Sequence, residues 1–291
     1  MIGMIGIVYN PMTNKGASVE RMKKIREALD AKGVQYEYRE STYAGHSIVL
    51  ARELSETCDV IVSAGGDGTF YECLNGTIDK DVTYYILPMG SGNDTSITLD
   101  IRYRTDEEHI EKLANGGEIV NLDCEIFNDE TISMQFAAFG IVPEVLANFL
   151  KKKKSRGINY VLSLLGALVG HKPKDYRVIA DGEEINTHCD MVAVMNIKTA
   201  GGGLKICPEA SVTDRKLDLV IVERVGYLRY WRNVVALARG KLLKQKNVIH
   251  KRIDCAEIFC KSEEYCVVDG EMLTFDKLKM AIYPKQIKFM L

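Results

Sequence analysis

Residues Ser63–Glu72 read SAGGDGTFYE, a glycine-rich run broken by a carboxylate. Glycines tolerate positive φ and let backbone N–H groups approach a ligand closely. A helix that follows such a run offers its N-terminus to an anion. The combination suits a chain of phosphates. The Gly-Lys-Ser/Thr ending of the Walker A loop is missing, and Tyr71 stands where the dinucleotide fingerprint has its third glycine. Asp67 is the odd member. A carboxylate beside polyphosphate repels it unless a divalent cation lies between them, so Asp67 points to magnesium. The plainer alternative is an Asp-Gly turn in which Asp67 serves the backbone.

Two further motifs could join this loop. Leu87–Asp94 reads LPMGSGND. Ser91 and Asn93 offer polar groups to phosphate or ribose, and Asp94 offers a second carboxylate to magnesium. A glycine-rich loop that only caps a helix would look the same. Val267–Glu271 reads VVDGE, where Asp269-Gly270 is most simply a hairpin turn. Phosphoryl transfer to an alcohol needs a carboxylate to accept the proton. Glu271 is a candidate if the chain brings it over the same crevice.

The elements that must position these residues alternate in the first part of the chain. Met4–Tyr9, Gln35–Arg39, Asp59–Ser63 and Thr83–Leu87 read as strands. Ser18–Lys32, with Val19, Met22, Ile25 and Leu29 on one side, reads as a helix, as do Ser47–Glu56 and Phe70–Gly76. This rhythm implies an α/β domain with a mostly parallel sheet. The carboxyl ends of such strands share one ligand crevice, so the two glycine loops are predicted to face each other. After about Gly117 the rhythm changes to short strands: Val120–Phe127, Thr131–Phe139, Tyr176–Ala180, Asp190–Ile197, Lys216–Val222, Glu257–Cys260, Glu264–Val268 and Ile287–Leu291. Turns such as Asp181-Gly182 separate several of them. A mainly antiparallel β-sandwich is predicted there, interrupted by a helical hairpin over about Val142–Leu168. The domains expected are 1–118 and 119–291.

Bulk properties are those of an ordinary globular protein: 291 residues, 46% hydrophobic and 27% charged. A net charge of −2 gives no case for a nucleic-acid partner. The eight cysteines include no C-x-x-C pair, and histidine is too sparse to complete a zinc pattern. Free, mostly buried thiols of a reducing cytosol are expected. The start, MIGMIGIVYNP, lacks the basic region of a signal peptide. The longest apolar stretch, Ile158–Gly170, is too short to span a bilayer. The expectation is a cytoplasmic protein that touches a membrane only at its surface.

Together the motifs resemble the diacylglycerol kinase catalytic family, in particular bacterial soluble lipid kinases similar to sphingosine and ceramide kinases. The resemblance rests on Asn10-Pro11, Gly65–Thr69, Glu72, Asn75-Gly76, Leu87–Asp94, Gly201–Leu204, Pro208-Glu209-Ala210, Asp214, Leu217-Asp218 and Asp269–Glu271, in that order. It spans essentially the whole chain. It implies an N-terminal nucleotide-binding domain, a C-terminal β-sandwich, and transfer of the γ-phosphoryl of ATP to a lipid hydroxyl, diacylglycerol foremost. By resemblance, Asn10, Ser41, Gly66, Asp67, Gly68, Thr69, Phe70, Tyr71, Glu72 and Ser91 contact ATP. Asp67 and Asp94 hold the catalytic magnesium network, and Glu271 accepts the proton. A second, structural magnesium maps to the Asp214 carboxylate with the carbonyls of Ser211 and Lys216. The family includes dimers, so a homodimer is compatible.

Four positions depart from the family pattern. Tyr71 stands for the usual Asn, Thr95-Ser96 for Phe-Ala, and Arg215 for the Gly after the structural Asp. A basic run, Lys151, Lys152, Lys153, Lys154 and Arg156, adjoins the apolar stretch Ile158–Val169. Such a run favours an anionic lipid surface, although a solvated helix end has the same composition. NAD kinases share the Gly-Gly-Asp-Gly-Thr loop but resemble a pattern with a later Asn-Glu pair, and this sequence has no Asn-Glu dipeptide. A nucleotide-binding regulator on the same fold, without turnover, is the non-enzymatic alternative.

Overall fold

The computed structural model describes residues 3–150, 166–167 and 170–291. They form two compact units, residues 1–122 with 285–291, and residues 123–284. The division thus falls after Leu122 rather than Glu118, and the last residues return to the first unit.

Five consecutive buried residues, Ile5–Tyr9, make β1. Helix α1 (Val19–Ala31) follows and buries Met22, Ile25 and Leu29, whereas Val19 is exposed. Next come β2 (Tyr36–Glu40), α2 (His46–Leu54), β3 (Val60–Gly65), α3 (Asp67–Thr77), β4 (Thr83–Pro88), α4 (Asp94–Thr98), α5 (Asp106–Asn115) and β5 (Ile119–Leu122). β1 lies between β2 and β3, and β4 lies beyond β3, all parallel. The C-terminal strand Ile287–Met290 extends the sheet, parallel to β4 and antiparallel to β5. Ile287–Leu291 had read as part of the sandwich. Its Met290 instead packs into the first core, and its buried Phe289 lies against Phe70 and Tyr85. Near-continuous apolar strands such as β3 mark a parallel sheet covered on both faces. Helix α5 carries a capping box in which Thr105 and Glu108 satisfy each other's backbone N–H groups.

The second unit has β6 (Glu125–Phe127), β7 (Thr131–Ser133), β8 (Phe136–Gly140), α6 (Ile141–Leu150), β9 (Lys174–Ala180), β10 (Glu183–Met195), β11 (Leu217–Glu223), α7 (Tyr227–Ala238), β12 (Val248–Ile253), β13 (Cys255–Val268) and β14 (Glu271–Ile282). Every pairing among these strands is antiparallel. β10 gives its first half to β9 and its second half to β8 and β11; β13 likewise divides between β9 and β8. Long strands that change partners in this way are how two layers share one core. Asp181-Gly182 and Asp269-Gly270 both have positive φ at each residue, the two-residue hairpin geometry their sequence suggests. The expected single strand Thr131–Phe139 is broken between β7 and β8. Of the expected helical hairpin, α6 is present; Lys151–Lys154, Arg156 and most of Ile158–Val169 lie outside the described residues. Among the described residues no helix is long and apolar enough to cross a membrane.

Candidate active site

The first unit gathers the candidate residues at the carboxyl ends of its parallel strands. Asn10 follows β1, Ser41 follows β2, Gly66 follows β3, and Ser91 lies in the loop after β4. The Asn10 amide donates to Thr69 Oγ1 at 3.4 Å, while its Oδ1 accepts from Met12 N at 3.0 Å. Ser41 is buried and its N–H donates to the Tyr9 carbonyl at 2.8 Å.

Steric contacts explain the glycines. A Cβ on Gly65 would stand 2.3 Å from Thr69 Oγ1. A Cβ on Gly90 would stand 2.6 Å from the Gly66 Cα and 2.7 Å from Asn93 Oδ1. The two loops therefore meet backbone to backbone, as adjacent parallel strands require. Gly68 is exposed and a Cβ there would meet nothing within 4 Å. It leaves the first turn of α3 open on the side where an anion would approach.

One carboxylate joins the loops. Asp67 Oδ2 accepts from Asp94 N at 3.1 Å, and Oδ1 accepts from Thr95 N at 3.1 Å. Asp67 at the start of α3 thus caps α4 as well. Asn93, in the left-handed conformation at φ 57°, closes its own loop. Its Oδ1 accepts from Gly90 N at 2.9 Å and its amide donates to the Gly90 carbonyl at 2.7 Å. Its side chain is thereby spent on the loop rather than offered to phosphate or ribose. Arg102, which sequence reasoning missed, donates to the carbonyls of Gly92 and Ser91 and braces this loop from behind.

Burial raises the Asp67 carboxyl above its ordinary value, and the neighbouring Asp94 charge adds to this against the Thr95 and Asp94 N–H groups. Asp94 itself is buried. Two crowded carboxylates of this kind supply hard oxygen donors, so the pair fits a divalent cation such as magnesium.

Two residues of the expected nucleotide set are turned elsewhere. The Phe70 side chain is buried edge-on against Tyr84 and Phe289. Glu72 accepts from Gly45 N at 3.0 Å and Ser47 N at 3.1 Å, so it caps α2. Both hold the loop's surroundings in place. Thr69 is buried and Tyr71 half-buried.

In the second unit Glu271 opens β14, is exposed, and pairs in register with Val268 across the turn. The turn is anchored by Asp269, whose Oδ1 accepts from Ser133 Oγ at 2.5 Å and from Phe136 N at 3.2 Å. Ser133 Oγ also lies 2.7 Å from Glu125 Oε1. Burial and the Asp269 charge push the Glu125 carboxyl well above its ordinary value, and its Oε2 is buried without a partner. Folded chains then keep Glu125 neutral where unfolded chains ionise it. Stability is present at low pH and lost as pH rises through this range. Glu125→Gln should gain on the native protein as pH rises above about 4, by up to about 1.4 kcal/mol per pH unit. Urea unfolding at several pH values checks this; parallel curves would refute it.

At the residues expected to hold a structural magnesium, the Asp214 carboxylate is already engaged by the protein itself. Asp214 Oδ1 accepts from Lys216 N at 3.1 Å, and the Arg252 guanidinium pairs with Oδ2. Ser211 Oγ lies 3.1 Å from Thr213 Oγ1. Arg215 occupies a left-handed position at φ 59°, which explains why glycine is usual there. Its N–H donates to Asp123 Oδ2 at 2.6 Å and its guanidinium to the Tyr283 carbonyl at 3.0 Å. The positive charge that Asp214 needs comes from Arg252, so a cation there would have to displace it.

The diacylglycerol kinase catalytic domain matches residues 4–124, and the YegS C-terminal NAD kinase beta sandwich-like domain matches residues 142–291. The chain belongs to the family of the YegS C-terminal NAD kinase beta sandwich-like domain, and its first part carries a diacylglycerol kinase catalytic domain. It is a lipid kinase, a phosphotransferase that acts on a hydroxyl. A diacylglycerol kinase of Bacillus subtilis (strain 168) is 23% identical over 273 residues, covering 91% of this chain and 88% of that protein. A YegS-like protein of Enterobacter sp. (strain 638), named a probable lipid kinase, is 25% identical, covering 95% and 93%. The crystal structure of a diacylglycerol kinase from Bacillus anthracis str. Sterne superposes with a TM-score of 0.74 at 18% identity, over 98% of this chain and 95% of that one. At that identity the superposition speaks for the fold alone.

Proposed function

We propose that this lipid kinase transfers the γ-phosphoryl group of ATP to the hydroxyl of diacylglycerol, giving phosphatidic acid and ADP. The observation that carries this is the Asp67 carboxylate, which draws the two glycine loops together beside Asp94 at the open N-terminus of α3. The glycine loop and α3 would receive the phosphates, with Asn10 and Ser91 at the neighbouring strand ends. Magnesium held by Asp67 and Asp94 would neutralise phosphate charge. The acceptor oxygen forms a bond to the γ-phosphorus, the bond from that phosphorus to the bridging oxygen of ADP breaks, and Glu271 takes the hydroxyl proton.

Labelled ATP with magnesium, offered diacylglycerol, other lipid alcohols or NAD, followed by identification of the labelled product, tests this directly. Labelled phosphatidic acid is expected. Labelled NADP would instead support an NAD kinase, and no labelled product would support a nucleotide-binding regulator.

A bilayer acceptor requires contact with the interface, so a cytoplasmic enzyme working at the membrane surface is part of the proposal. The run Lys151–Lys154 with Arg156 would favour anionic lipid by about 1 kcal/mol per charge near the surface. Neutralising Lys151–Lys154 is expected to weaken co-sedimentation with vesicles containing phosphatidylglycerol; unchanged binding removes this element.

A further inference from the structure

Gly201–Ala210 contributes no group to the transfer chemistry above, yet it delivers one residue to an unusual place. The Cys207 N–H donates to the Lys198 carbonyl at 3.2 Å, and its carbonyl accepts from Ala210 N at 3.0 Å. An Ala200–Leu204 bridge closes the preceding turn. Cys207 is thereby held, fully buried, against β11 and β12. On those strands Asp218 pairs with Arg252, and Val220 with His250. Asp218 and His250 are therefore diagonal neighbours on one face.

The three side chains converge. His250 Nε2 lies 2.6 Å from Asp218 Oδ1 and 3.8 Å from Cys207 Sγ. All three ligand atoms lie within 4.8 Å of one another. A single imidazole nitrogen thus faces both a carboxylate and a sulfur. One proton on that nitrogen can serve one of them at a time, whereas a metal ion serves all three. Zinc at about 2.0–2.3 Å from N, O and S ligands sets neighbouring ligand atoms roughly 3.3–3.8 Å apart. The Cys–His distance already lies at the upper end of that range, and the Asp–His distance needs to open by about 1 Å. Asp218 is buried and His250 is partly exposed, so an entry path exists from the β12 side. The donor set of thiolate, imidazole and carboxylate is one that zinc takes, with water in the fourth position.

We propose that Cys207, Asp218 and His250 form a zinc-binding site that clasps the 201–210 segment to β11 and β12. It is separate from the carboxylate pair Asp67 and Asp94 in both residues and donor type. Those oxygens suit magnesium; a sulfur ligand does not.

Cobalt titration of the reduced, chelator-stripped full chain tests this. One equivalent of Co²⁺ should give the near-ultraviolet sulfur-to-cobalt charge-transfer band together with visible bands of four-coordinate cobalt, and Zn²⁺ should abolish both. Carboxylate-bound cobalt at Asp67 and Asp94 cannot give the thiolate band. Cys207→Ser should lose the band, His250→Gln should weaken cobalt binding at least about tenfold, and Cys255→Ser, which removes an exposed thiol, should leave it unchanged. X-ray absorption at the zinc edge of the native chain gives a readout independent of variant folding. One sulfur near 2.3 Å is expected. Absence of the thiolate band in the native chain, its persistence in Cys207→Ser, or a sulfur-free zinc shell would overturn the proposal.

Discussion

Asp67→Asn is expected to lower phosphoryl transfer by about 10³-fold or more while leaving a folded protein, since electrostatic stabilisation of the transferred group is the main work of such a site. Asp67 has two duties that this substitution separates. Its oxygens accept the Asp94 and Thr95 N–H groups, and asparagine retains one acceptor for them. Its negative charge, crowded against Asp94, is what a divalent cation requires, and asparagine removes it. The capping loss alone costs about 1 kcal/mol, too little to unfold the domain. Native-like thermal unfolding with collapsed turnover and weakened dependence on added magnesium is the expected pattern. Turnover within tenfold of the native protein would show that Asp67 is a helix cap and nothing more.

Glu271→Gln is expected to reduce turnover by about 10²–10⁴-fold with ATP binding retained, the usual range for removal of a general base. Glu271 is exposed at the mouth of the Asp269-Gly270 turn, so the isosteric amide disturbs no core. The turn is anchored by Asp269 on Ser133 and Phe136, and that anchor survives the change. Nucleotide affinity by equilibrium binding should match the native protein. Native turnover in this variant would move the proton-accepting role to another group.

The α/β half was legible because its signals are local. Buried strands such as Val60–Gly65 are continuous apolar runs, and α1 shows a regular apolar spacing. The loops after β3 and β4 could be paired from the sequence because neighbouring parallel strands end at the same edge. The second half was less legible. β12 and β14 mix charged and apolar residues and have few buried positions, so period-two alternation is blurred and neither is among the predicted strands. Helix α7 was missed as well. The capping box of α5, Thr105 to Glu108, is a helix-start signal legible in the sequence.

Site assignments divided along the same line. Gly65, Gly66, Asp67 and Asp94 could be named from residue type and spacing, because phosphate and magnesium demand glycine backbone and carboxylate oxygen. Where each side chain points could not be read. Phe70 and Glu72 lie within the same motif, yet one packs in the core and the other caps α2. Asp214 reads as a metal ligand by type alone, and only the structure sets Arg252 of β12 beside it. The cluster of Cys207, Asp218 and His250 shows the same limit from the other side. Its spacing matches no zinc signature, because strand pairing rather than chain proximity brings the ligands together. The sequence by itself determined which groups the glycine loop offers, since a few contiguous residues carry them. Only the tertiary structure decided which carboxylates are crowded, which are neutralised by arginine and which face a thiol, since those depend on neighbours supplied by distant strands.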